Sequence, residues 1–158
     1  MMNNQGTKER SFGLEIPDWK RVHVPDNVER LATTVVDAAF AVHKELGPGL
    51  LESAYEACLS HELKLRGVKH QLQLPVPLNY KDCSVEAGYR ADVVVEGKLL
   101  IELKAVDQLL PVHTAQVITY LRLKRFPLGL LINFNEVLIK HGIHRILNVP
   151  RSQDETLN

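Results

Sequence analysis

The chain has 158 residues, a length suited to one domain, and 45% of them are hydrophobic, which excludes a disordered chain. Lysine plus arginine equals aspartate plus glutamate at 19 each, so net charge alone gives no reason to bind nucleic acid; such contact would need a local patch or a metal. No apolar run is long enough to span a membrane, Met1–Arg10 is polar without the apolar stretch of a secretory leader, and Cys58 and Cys83 stand alone, so a cytoplasmic protein with reduced thiols is expected.

Residues 1–25 are polar, carry Pro17, Trp19 and Pro25, and read as a flexible arm that Trp19 packs onto the domain or a partner. The domain itself is expected over residues 26–149, with 150–158 as a tail. Asp26 or Asn27 suits an N-cap, and Leu31, Val35, Ala38 or Ala39, and Val42 recur at helical spacing through Leu46. Gly47-Pro48-Gly49 breaks that helix, because proline lacks the amide and glycine accepts positive φ. A second helix is predicted from Glu52 to Leu65, with Gly67 as its stop signal.

The period then changes. Gln71–Tyr80 alternates, with Leu72, Leu74, Val76 and Leu78 on one side, and Pro75 and Pro77 make it an edge strand or bend it. Lys81–Ser84 reads as a turn. Val85–Val95 and Lys98–Ala105 read as two strands meeting at Glu96-Gly97. Pro111 opens a helix that runs to about Arg125, and Leu128–Phe134 reads as a buried strand. Val137–Leu147 adds a strand or short hairpin. The sum is a mixed α/β domain.

Chemistry concentrates on the central hairpin. Glu102 and Lys104 are two apart and share one face of a strand, while Leu99, Ile101 and Leu103 share the other. Charges on a strand this apolar are costly unless paired or bound to a metal. Asp92 lies on the preceding strand, and register decides whether it meets Glu102. A two-residue turn puts Asp92 opposite Ile101, on the wrong face. The three-residue loop Glu96-Gly97-Lys98 puts it opposite Glu102, and the loop Val95-Glu96-Gly97 puts it opposite Leu100, still on the Glu102 face. An odd loop is therefore expected. Two facing carboxylates suit Mg2+ or Mn2+, which would polarise a phosphoryl oxygen beside the Lys104 charge. The competing reading is a surface ion triplet.

Other pairs sit on helices. Gln116 and Tyr120 share a face at four residues apart, either holding a phosphate or the lysine, or forming a solvated face. Glu52 and Tyr55 open the second helix, where Glu52 is either a third metal carboxylate or an acid favoured by the helix dipole. Arg122, Lys124 and Arg125 either suit their helix C-terminus or contact a nucleic-acid backbone. The spacing of His141 and His144 has no acid or cysteine cluster to support it, and Cys58 reads as a small buried hydrophobe.

Asp92 followed by Glu102-Leu103-Lys104 resembles the motif of the PD-(D/E)xK nuclease superfamily, with Ala91 in place of the leading proline. Gln116-Val117-Ile118-Thr119-Tyr120 resembles the QxxxY motif of its RecB-type and lambda-exonuclease-like branch. Gly49-Leu50-Leu51-Glu52-Ser53-Ala54-Tyr55 resembles the signature of its GxxExxY family, and Val42–Glu52, with His43, looks like that family's opening block. The resemblance spans roughly Val28–Leu147. It implies a restriction-endonuclease-like α/β fold, an αβββαβ core whose mixed central sheet is flanked by helices. It also implies a nuclease acting on nucleic acid, DNA before RNA, with Mg2+ or Mn2+ held by Glu52, Asp92 and Glu102. Lys104 would be the catalytic lysine, Gln116 and Tyr120 would support the site, and His43 and Tyr55 would lie nearby. Two copies pairing to grip a duplex would suit a domain this small. A different class of function also fits: a nucleic-acid-binding or assembly module that keeps the fold without catalysis.

Overall fold

The computed structural model describes residues 22–86 and 88–150. The arm through Arg21, including Trp19, and the tail from Arg151 lie outside the described residues. Val24 is buried in the core, so packing begins ahead of the expected boundary at Asp26.

Helix α1 (Asp26–Leu46) buries Val28, Ala32, Val35, Ala38, Ala39 and Val42, the stripe that its helical spacing dictates. The N-cap is Pro25, whose carbonyl accepts from Val28 and Glu29, rather than Asp26 or Asn27. Asp26 instead sits in the first turn, where its charge faces the positive helix end. Gly47 and Gly49 take φ of 65° and 99° and turn the chain into α2 (Glu52–Leu65), which buries Tyr55, Leu59 and Leu63.

The segment expected as one strand from Gln71 to Tyr80 is two. β1 (His70–Pro75) and β2 (Leu78–Tyr80) part at Val76-Pro77, where two prolines two residues apart remove the donors a continuous ladder needs. Leu72 is 41% exposed, as an edge strand permits. The expected turn at Lys81–Ser84 narrows to Lys81-Asp82, because Cys83 already pairs with Tyr80 in β3 (Cys83–Val85). The expected strand from Val85 likewise divides, and β4 (Arg90–Val95) starts afresh. Next come β5 (Leu99–Lys104), α3 (Pro111–Lys124), β6 (Leu128–Asn133), a 3-10 turn at Ile139–His141 and β7 (Ile143–Leu147).

Five strands form one sheet in the order β1-β4-β5-β6-β7, while β2 and β3 form a separate hairpin. β5 and β6 are parallel, joined by the α3 crossover, and the other neighbours are antiparallel. On one face Val93, Val95, Leu99, Ile101, Leu103 and Leu130 pack under α1 and α2. On the other, Val94, Leu100 and Leu131 pack under α3 through Val117, Tyr120 and Leu121. The fold is therefore restriction-endonuclease-like: α2, β1, β4, β5, α3 and β6 give the αβββαβ core, to which α1, the small hairpin and β7 are added.

Candidate active site

The loop between β4 and β5 is Glu96-Gly97-Lys98, since Val95 pairs with Leu99 and Val93 with Ile101. It is odd in length, and continuing the register places Asp92 opposite Glu102. Glu96 and Gly97 both take positive φ, 48° and 64°, and the Lys98 amide donates to the Val95 carbonyl at 3.0 Å, closing a turn whose twist matches the strands.

At the acid pair the side chains take over from the ladder. Asp92 Oδ2 accepts from the Leu103 amide at 2.8 Å, and Glu102 Oε1 accepts from the Asp92 amide at 3.2 Å. The pleat also slips there. Val93 and Val95 face the α1–α2 core, but Ala91 joins Val94 on the α3 side, and Asp92 is the residue between. Alternation from Val94 carries Asp92 to the Glu102 side, and the slip falls between Ala91 and Asp92.

Glu102 is only 2% exposed. Burial, then the neighbouring Asp92 charge, pushes its carboxyl up to about 9. Lys104 partly offsets this rise. Glu52, the first residue of α2, is raised by burial; the Lys104 charge lowers it, and Asp92 and Glu56 raise it. Glu52, Asp92, Glu102 and Lys104 therefore share one electrostatic neighbourhood. Among the described residues no ion pair involves Lys104.

Gln116 Nε2 donates to the Tyr120 hydroxyl at 2.9 Å, so the two side chains on α3 form a unit. Tyr120 is 3% exposed, and its phenol is raised mainly by burial and further by Glu102 and Asp92. The α3 pair thus flanks the acids from the face opposite α2. A family model described as the PD-(D/E)XK nuclease superfamily matches residues 29–146. The chain belongs to the PD-(D/E)XK nuclease superfamily. Searches of curated proteins and of solved structures return no match.

Nucleases of this superfamily typically use divalent metals, and the residues present fit such an ion in kind. Their donors are hard carboxylate oxygens, and three of the carboxyls, Glu52, Glu56 and Glu102, are raised by burial and like charge, as expected where negative charge lacks a counterion. As they stand, no three His, Cys, Asp or Glu side chains among the described residues are gathered closely enough to hold a metal ion.

Two other residues named from the sequence have architectural contacts. Tyr55 is fully buried, stacks on Phe134 at 4.6 Å, donates to the Gly47 carbonyl at 2.6 Å and accepts from the Leu50 amide at 3.1 Å. It pins the glycine-proline-glycine turn that delivers Glu52. The His43 ring meets the Glu136 carbonyl at 2.7 Å and ties α1 to the loop after β6. Cys58 is partly buried against the core, not wholly inside it.

Three residues escaped the sequence reading. Glu56 lies one turn beyond Glu52, a spacing that could have flagged it. Gln73 bonds both Glu56 and Asp92, but nothing in a strand-like pattern announces that its backbone turns out of the ladder. Asn133, fully buried, bonds both the amide and the carbonyl of Val106 and fixes the loop after Lys104.

Proposed function

We propose that this chain is a metal-dependent nuclease hydrolysing phosphodiester bonds in DNA, with Asp92 and Glu102 as metal ligands, Glu52 as a third carboxylate and Lys104 as the catalytic lysine. The observation that carries this is Glu102: a glutamate almost wholly buried opposite a second carboxylate is a standing cost to the fold, and a cation offsets it. Bound Mg2+ or Mn2+ would polarise the phosphate and lower the pKa of water.

The chain's own groups then have defined tasks. The Leu103 amide fixes one oxygen of Asp92, and the Asp92 amide fixes one oxygen of Glu102, so both carboxylates are oriented in advance. Lys104, two residues beyond Glu102, places an ammonium where it can hold the attacking water and stabilise charge building on the phosphate oxygens. A water oxygen forms the new bond to phosphorus, and the sugar oxygen departs and takes up a proton. Gln116 and Tyr120 bound the site from α3. The turn before Glu52, the glutamate and Tyr55 support placing the chain in the GxxExxY family, and the bonded Gln116–Tyr120 pair supports the QxxxY branch.

The test is incubation of the purified protein with linear, circular and single-stranded DNA, and with RNA, in Mg2+ or Mn2+. Cleavage of at least one DNA form is expected, falling by about 100-fold or more in Asp92→Ala and Lys104→Ala. Absence of cleavage, or cleavage indifferent to Asp92→Ala, would remove the proposal. Binding that survives Glu102→Ala and Lys104→Ala without turnover would favour a non-catalytic module.

A further inference from the structure

Leu103 holds only one oxygen of Asp92; the other is held from the opposite side by Gln73. The Gln73 amide, through Nε2, donates to Asp92 Oδ1 at 3.3 Å and to Glu56 Oε2 at 2.7 Å. We propose that Gln73 is a positioning residue: it bridges Asp92 to Glu56 on α2 and so sets the orientation in which Asp92 acts. This rests on the nuclease reading of Asp92.

The backbone is built around that bridge. Among the described residues four non-glycines take positive φ. Lys81 and Glu96 lie in hairpin turns and Arg125 caps α3; Gln73, at 52°, alone lies inside a strand. An L-residue there is strained, and such strain persists only where the surroundings enforce it. Part of the enforcement is visible: Arg90 Nη1 donates to the Gln73 carbonyl at 3.2 Å. The β1–β4 ladder pairs Leu72 with Val93 and Leu74 with Ala91, and it skips the level of Gln73 and Asp92. Both residues leave the ladder at the same rung, and their side chains meet.

The residue type suits the task. An amide can donate to two carboxylates at once. It carries no charge, so it does not compete with a cation for them as a lysine would. A glutamate at the same place would add a third negative charge beside Glu56 and Asp92 and push both away.

Gln73→Met keeps the length and removes the donor. Steady-state cleavage of the DNA substrate should show kcat reduced by about 10-fold with KM within about twofold, since hydrogen bonds to a charged group are lost without loss of a substrate contact. Circular dichroism should match the unaltered chain. Glu56→Ala should give a comparable loss in kcat, and the double variant should be no worse than either single one, because both changes break one bridge. Losses that multiply would overturn the bridge, and so would a kcat unchanged in Gln73→Met. A crystal structure of Gln73→Met gives a readout independent of activity: Asp92 should be displaced or spread over several rotamers. Asp92 unmoved there would overturn the proposal. An unaltered chain that cleaves nothing, together with a displaced Asp92 in the variant, would remove the nuclease reading and leave the bridge standing.

Discussion

Glu102 is where the proposed function and the stability of the fold pull in opposite directions. In the folded protein without metal its carboxyl holds a proton up to about pH 9, against an ordinary value of 4.5. A raised folded-state pKa means the native state binds the proton more tightly than the unfolded chain does. The stability this group contributes is therefore full below the ordinary carboxylate range and is lost as pH rises through about 9. Glu102→Gln keeps the side chain neutral throughout. In urea unfolding with a chelator present, the variant should be more stable than the unaltered chain by about 1–3 kcal/mol at pH 8, with the difference vanishing near pH 5. Equal stability at pH 8 would show that the site tolerates the charge without a cation. At this scale the sequence was informative where spacing fixes geometry. The facing of Asp92 and Glu102 followed from alternation and the odd turn, and the Gln116–Tyr120 contact from the helical repeat. It was silent on Gln73, because a positive φ inside a strand arises from Arg90, Glu56 and Asp92, which are distant in the chain.

Among the elements, the β4–β5 hairpin decides whether a site exists at all. A loop of two residues would have turned Asp92 away from Glu102. The loop carries one residue poorly suited to it, since Glu96 adopts φ of 48°, where asparagine is far more at ease. Glu96→Asn should raise stability by about 0.5–1 kcal/mol in thermal or urea unfolding while leaving DNA cleavage unchanged, because the register is kept. A loss of stability would mean that the Glu96 side chain has a role the turn does not explain. The helices were the most legible elements, since Gly47-Pro48-Gly49, Gly67 and Pro111 mark their ends by local chemistry. The strands between Gln71 and Val95 were the least. Alternation continued through Pro75 and Pro77, and only the tertiary pairing reveals that the ladder stops, that β2 and β3 leave the sheet, and that β4 begins at Arg90.

Across the whole molecule, the candidate site lies between the sheet's two helical layers. α2 brings Glu52 and Glu56 from one side, α3 brings Gln116 and Tyr120 from the other, and β4 and β5 supply Asp92, Glu102 and Lys104 just beyond their paired rungs. Both faces are sealed by apolar clusters, so the carboxylates are held on rigid elements, not on loops. Net charge is zero, so on the proposed reading a cation at the acid cluster, with local basic groups, would have to recruit the polyanion. The most direct measurement is a crystal soaked in manganese and recorded at the metal's absorption edge. An anomalous peak within about 2.3 Å of carboxylate oxygens of both Asp92 and Glu102 is the expected result. A crystal that stays without a peak between those carboxylates at saturating manganese, or one that binds the ion only elsewhere, would contradict the metal site and with it the nuclease.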